Sequence, residues 1–178
     1  MKKLFQIFTF TALFVSLVGC APKTNQKPSN SDENTSPSSH HAVYESFSLY
    51  FPNIDKNQIT KEDHEIRIQE NASQEKLILD ALKMGSKNNN LISPLAADAK
   101  FNSIKTVSGL CTIDCSDNFL NITSETNDNA ELALSAIVQS LCELDTVQQV
   151  KFNINGNTAA TINDIDLSQP ISPTTTNL

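Results

Sequence analysis

The reactive side chains between positions 42 and 168 are three cysteines, Cys111, Cys115 and Cys142, a single histidine, His64, and two close carboxylate pairs, Asp114/Asp117 and Asp164/Asp166. A cysteine nucleophile needs a base beside it, and His64 stands far from Cys142 in a stretch that reads as a polar loop. There is no G-x-S-x-G elbow for a serine nucleophile. Asp164 and Asp166 would project the same way from an extended segment and could offer oxygens to calcium. Two carboxylates are too few to fill that ion's shell. Asp114 with Asp117 has the residue types of a glycosidase, but neither the carboxyl separation nor the split pKa values follow from that spacing. His40 and His41 are adjacent in a polar stretch and give a metal no fixed geometry. The reading is therefore of a protein that is not an enzyme, with no catalytic residue, no cofactor and no metal.

One cysteine carries a different chemistry. Leu17-Val18-Gly19-Cys20 closes an uncharged, almost wholly apolar run from Leu4 to Val18, preceded by Lys2 and Lys3. A basic start, an apolar run and a small residue before the cut are the parts of an export signal. The run is about 15 residues, short of the roughly 20 that span a bilayer as a helix. The tetrapeptide resembles a lipobox, which implies cleavage before Cys20 and a diacylglyceryl group on its thiol. Two acyl chains give stable anchoring where one gives marginal binding. The expectation is a lipoprotein held on the extracytoplasmic face of a bacterial cell membrane, with residues 1–19 as its signal peptide.

The chain has 13 basic and 20 acidic side chains. Loss of Lys2 and Lys3 with the signal leaves 11 basic residues and a net charge of −9. That sign argues against nucleic acid, which binds basic surfaces. The segment Ala21–His41 has no Leu, Ile, Val or aromatic residue, so it cannot bury a core and reads, with Cys20 and Ala42, as a lipidated tether over 20–42. As a flexible coil of about 20 residues it reaches on the order of 25 Å. With Cys20 lipidated, three thiols remain. Cys111 and Cys115 on one strand would lie roughly 13 Å apart, beyond disulfide reach. Either Cys142 pairs with one of them or all three serve as small core residues.

Apolar spacing then places the elements. Val43, Phe47, Leu49 and Phe51 alternate along a first strand, ended by Pro52, with Tyr44 and Tyr50 on its outer face roughly 20 Å apart. That separation, in a chain without tryptophan, is too wide to stack one sugar ring. A short second strand covers Glu65–Gln69. Ser73 caps a helix to Met84 with Glu75 in its first turn, the stripe Leu77, Ile78, Ala81 and Leu82, and Gly85 as its stop. Phe101–Val107 and Leu110–Cys115 flank the turn Ser108-Gly109. Asp128 and Glu131 have capping-box spacing before a helix bearing Ala130, Leu134, Ile137, Val138 and Leu141. Val150, Phe152 and Ile154 lead to the hairpin dipeptide Asn155-Gly156 and a strand from Thr158 to Ile162. The expected fold is a single α+β domain over 43–168, two helices on one face of a mostly antiparallel sheet, with residues 169–178 a loose tail.

Several of these stretches together resemble a GerMN domain. They are Leu49-Tyr50-Phe51-Pro52, a helix ending near Gly85, Leu91-Ile92-Ser93-Pro94, Gly109 to Ser116 with Phe119, the helix from Ala130 to Leu141, and Val150–Gly156 closing on Ile165-Asp166-Leu167-Ser168. The chain departs from the family's usual pattern at Ser86, Asp98-Ala99 and Cys115. The resemblance implies a fold similar to the ring-building motif and a place among the lipoproteins of sporulation and spore germination. It also implies a protein partner or self-assembly in the envelope, in addition to the membrane contact through lipid. The alternative is a lipoprotein that binds cell-wall glycan (peptidoglycan) or a small germinant.

Overall fold

The computed structural model describes residues 42–120, 127–159, 161–162 and 164–173, with the side chains of 127–129 outside that set. The first strand, β1 (Tyr44–Asn53), pairs antiparallel with β2 (Gln58–Arg67). The helix α1 (Gln74–Met84) follows, then the hairpin β3 (Phe101–Val107) and β4 (Gly109–Cys115). The second helix, α2 (Asn127–Cys142), leads to β5 (Val147–Ile154), and the short strands β6 (Asn157–Thr158), β7 (Thr161–Ile162) and β8 (Ile165–Asp166) close the fold. Among the described residues the strands form a β1-β2 pair, a four-stranded sheet in the order β3-β4-β5-β6, and a β7-β8 pair. The fold is α+β with two helices, as the sequence implies. The four-stranded sheet is mixed, because β4 and β5 run parallel.

Local chemistry accounts for most of these boundaries. Ser73 Oγ accepts the Lys76 N–H at 3.2 Å to start α1, and Gly85, at φ +93°, donates its N–H to the Ala81 and Leu82 carbonyls to end it. Ser108-Gly109 and Asn155-Gly156 both have positive φ at both positions, the backbone of a type I′ hairpin turn. The alternation on β4 buries Cys111, Ile113 and Cys115. On α2 the stripe Ala130, Leu134, Ile137, Val138 and Leu141 is buried as expected. The expected capping box is corrected: α2 begins at Asn127, so Asp128 lies inside the helix and not at its cap.

The core gathers Leu49 and Phe51 from β1, Ile78, Leu79 and Leu82 from α1, Ile113 from β4, and Ile137 and Leu141 from α2. Phe119 stacks on Phe152 with ring centroids 5.4 Å apart. Leu79 joins this core although it lies outside the stripe read from the sequence, so α1 buries a wider arc than one amphipathic face.

Four further expectations are corrected. Pro52 does not end β1. The strand continues to Asn53, whose Oδ1 accepts the Lys56 N–H at 3.2 Å to form the turn. Proline is tolerated because the Pro52 carbonyl points away from β2, where it accepts the Ile92 N–H at 3.0 Å, so its missing N–H removes no bond to β2. The second strand is twice the expected length, and it includes His64, which is not in a loop. The expected strand from Thr158 to Ile162 is instead split between β6 and β7, and β7 pairs with β8. Residues 169–173 are tied down, for Ile171 exchanges backbone hydrogen bonds of 2.7 and 2.9 Å with Val150.

One hydroxyl joins α2 to the edge of β1. Ser140, fully buried, donates to the Ala136 carbonyl at 2.7 Å and accepts the Tyr50 N–H at 2.8 Å. Ser140→Ala strands that N–H in the interior, a loss of about 1–3 kcal/mol. Urea unfolding of purified Ser140→Ala should show this, and half-exposed Ser135→Ala should stay within about 0.5 kcal/mol of the parent.

Candidate functional site

The groups with reactive potential are mostly turned to structural use. Cys111 and Cys115 lie on the buried face of β4, and Cys142 is partly buried at the end of α2. All three are free thiols, so no bridge joins Cys142 to either partner. Burial pushes the Cys111 and Cys142 thiols up to about 11 and the Cys115 thiol to about 12, which keeps them protonated and weakly nucleophilic. Asp114 Oδ1 accepts the Gly156 N–H at 2.7 Å and so holds the β5-β6 turn; Asp117 is exposed. Asp164 has φ +63° in the β7-β8 turn, which breaks the extended geometry expected to align it with Asp166. Asp166 accepts the Ser168 N–H at 2.8 Å, and these hydrogen bonds lower its pKa. No group of three metal-binding side chains occurs among the described residues. Cys20, the expected lipidation site, and His40 and His41 lie outside them.

His64 sits on β2 with its ring 5.4 Å from that of Phe51 and its Nε2 3.0 Å from Glu62 Oε2. Glu62 is only 17% exposed and also accepts from the Ser86 hydroxyl at 2.8 Å and the Lys87 N–H at 3.2 Å. Burial would raise the Glu62 pKa, but Ser86, His64 and Lys87 outweigh it and hold the carboxyl below its ordinary value. Glu75 is lowered likewise, burial being outweighed chiefly by the Thr106 hydroxyl at 2.7 Å. This cluster ties β2 to the segment after α1.

The most open chemistry lies along the outer edge of β1. Tyr44 is 59% exposed but Tyr50 only 4%, a correction to the expected pair of outward tyrosines. Alternation fails at Tyr50 because the end of α2 covers that side of the strand. Its hydroxyl donates to Glu143 Oε1 at 2.7 Å, and burial together with Glu143 raises its pKa to about 12. Lys61 Nζ stands 3.7 Å from the other Glu143 oxygen. Beyond the helix end, a groove of about 380 Å³ runs beside Ser46 and Ser48, closed by Ile78 of α1 and by the turn carrying Glu143 and Asp145. Sequence spacing missed both Ser140 and Glu143. The signal available was a serine inside the apolar stripe between Ile137 and Leu141, a position that favours a buried partner.

The lowered carboxylates set an acid limit. A carboxyl whose folded pKa lies below its unfolded value adds stability above the unfolded pKa and loses it as pH falls through the folded one. The urea midpoint should therefore hold from pH 7 to about 5 and drop below about pH 4.5, and Glu62→Gln should flatten that fall. The thiols make a separate test. At pH 8 a thiol titrating near 11 is about one part in a thousand thiolate, so native Cys111, Cys115 and Cys142 should resist iodoacetamide and react on unfolding in urea. Rapid labelling of the native protein would contradict the buried placement.

The family model Germane, described as sporulation and spore germination, matches residues 48–160. The tandem GerMN domains of the sporulation protein GerM from Bacillus subtilis superpose with a TM-score of 0.57 at 21% identity, covering 80% of this chain and 50% of that one. The first GerMN domain of the same protein gives 0.52 at 19% identity, covering 72% of this chain and 94% of that one. The chain thus spans half the length of the tandem structure. A comparison with curated proteins gave no significant match. The structural likenesses bear on the fold alone; the family match covers well over half of the 178 residues, and the protein belongs to the Germane family of sporulation and spore germination, with a GerMN fold.

Proposed function

We propose that this protein is a lipid-anchored, extracytoplasmic module of sporulation or spore germination that works by holding another protein and not by catalysis. The observation that carries the reading is the GerMN match over residues 48–160. Two features support it. The buried cysteines and the partnered Asp114 and Asp166 are engaged in holding the fold, and where a carboxylate does meet an imidazole, at Glu62 and His64, the neighbouring Ser86 hydroxyl is bonded to Glu62 and not to the ring that would have to activate it. The apolar run ending at Leu17-Val18-Gly19-Cys20 supplies the signal and the thiol that lipid attachment needs. No helix among the described residues is long and apolar enough to cross a membrane. The acyl chains on Cys20 are the proposed hold on the bilayer, and residues 21–41 the proposed tether.

Cys20→Ala should leave uncleaved precursor and abolish incorporation of labelled palmitate in cells, with the parent as control. Unchanged labelling removes the anchor. Cross-linking in sporulating cells should recover the protein joined to an envelope protein. A chain that stays uncross-linked, and monomeric at high concentration, removes the holding role.

A further inference from the structure

We propose that the open part of the β1 edge, Tyr44 to Ser48, docks an extended segment of a partner protein rich in lysine or arginine, which adds to the β1-β2 sheet as a third strand. This rests on the protein-holding reading above and names its site.

Backbone direction defines the edge. The Val43 carbonyl accepts from Ile68 at the end of β2, whereas the Tyr50 N–H and the Pro52 carbonyl face the other way, to Ser140 and Ile92. N–H and C=O groups alternate in direction along a strand, so those of Tyr44, Ser46 and Ser48 also face away from β2. Among the described residues nothing bonds to them on that side. α2 covers the edge at Tyr50 and ends at Cys142, which leaves the outward main-chain groups of Tyr44, Ser46 and Ser48 uncovered by it. An exposed row of unpaired main-chain groups beside a groove is the geometry that accepts an added strand. The outer edge of β2 is guarded differently, for Lys87 Nζ donates to the Asp63 carbonyl at 3.1 Å.

Charge selects the occupant. The groove is lined by Glu45, Glu143 and Asp145 and by no basic side chain. Lys61 offsets part of the Glu143 charge from one side, and the other two carboxylates have no cationic partner among the described ion pairs. A second copy is a poor occupant, because its β1 carries Glu45 and no basic residue and its own acidic rim would meet this one. The chain's own segment 21–41 sets Lys23 and Lys27 against Asp32 and Glu33 and so has no net basic charge, which makes it a weaker match than a lysine- or arginine-rich strand. A basic strand satisfies both the main-chain groups and the carboxylates.

The test uses the purified full chain and a fluorescein-labelled octapeptide alternating lysine and valine, read by fluorescence anisotropy. Binding is expected. N-methylation of one alternate set of its residues should abolish that binding, while methylation of the other set leaves it within about twofold. An octapeptide alternating glutamate and valine should not bind. Ser46→Pro, which removes an outward N–H and places a ring on the edge as Pro52 already does further along, should weaken binding at least about tenfold. A Glu45→Lys, Asp145→Lys double variant should lose the lysine peptide and gain the glutamate one, a reversal that failure to fold cannot produce. Absence of binding, equal tolerance of both methylated peptides, or equal binding of the glutamate peptide overturns the proposal. A dimer of the full chain that dissociates with Ser46→Pro also overturns it, assigning the edge to a second copy. If a cross-linked partner persists in cells with Ser46→Pro, the holding role stands and this site falls.

Discussion

Parallel pairing of β4 with β5 governs how the rest of the fold is arranged. Two parallel neighbours cannot be joined by a hairpin, so after Cys115 the chain has to leave the sheet and return at Val147, and α2 lies on that path. A helix placed by a crossover packs on its sheet, which is why Ala130, Ala133, Leu134, Ile137, Val138 and Leu141 of α2 all enter the core, with Ser140 the one buried polar side chain among the helix's described residues. The same helix also packs against β1 and α1. The crossover therefore fixes the place of the β1-β2 pair, since β1 is held by the far end of the helix that joins β4 to β5.

A helix laid along a strand edge creates a problem of polar satisfaction that packing alone does not solve. The Tyr50 N–H points at α2, and a helix has no spare backbone acceptor in its middle turns because its carbonyls are bonded within the helix. Ser140 supplies one. Its hydroxyl donates a hydrogen bond to the Ala136 carbonyl, a habit of serine in helices that slightly weakens them, and this orients an oxygen lone pair to accept the strand's N–H. Three residues further on, just past the end of the helix, Glu143 accepts the Tyr50 hydroxyl, so the two ends of one buried tyrosine are held by α2 and the turn that follows it. Pro52 solves the next outward position by having no N–H at all. The outward N–H of Tyr50 and the outward carbonyl of Pro52 thus each have a partner on the stretch of edge that α2 reaches.

What the sequence made legible was what depends on neighbouring residues. Ser73 and Gly85 bound α1 because capping is local, and Ser108-Gly109 and Asn155-Gly156 are turns because their positive φ angles suit those residue types. The stripe on α2 was readable because that helix has one buried face, whereas on β4 spacing left the set Cys111, Ile113 and Cys115 and the opposite set led by Leu110 both open, and the structure buries the first. β2 was only half readable: Gln58 to Glu65 is almost wholly polar, and its pairing rests on backbone bonds to β1, with little apolar alternation to announce them. Tyr50 was misplaced for a related reason, since alternation assumes one dry face and cannot report a helix arriving at the edge. The direction of β5 was not readable at all, because periodicity gives the faces of a strand and not its neighbour's orientation.

The chemistry this fold leaves open follows from where its reactive groups went. Thiols raised to about 11 or 12 and carboxylates engaged by Ser86, Gly156 and Ser168 are committed to the interior or to turns, where they hold the domain together. Main-chain groups are different in kind, because every residue but proline carries the same donor and acceptor whatever its side chain. A surface that binds through them tolerates extensive side-chain change. Such a surface cannot by itself distinguish partners, since any extended chain offers the same bonds. Discrimination has to come from side chains beside the edge, and on β1 these are Glu45 on the strand and Glu143 and Asp145 just past the helix that ends there. The crossover that closes the sheet thus also sets the acidic turn next to the strand edge it leaves bare.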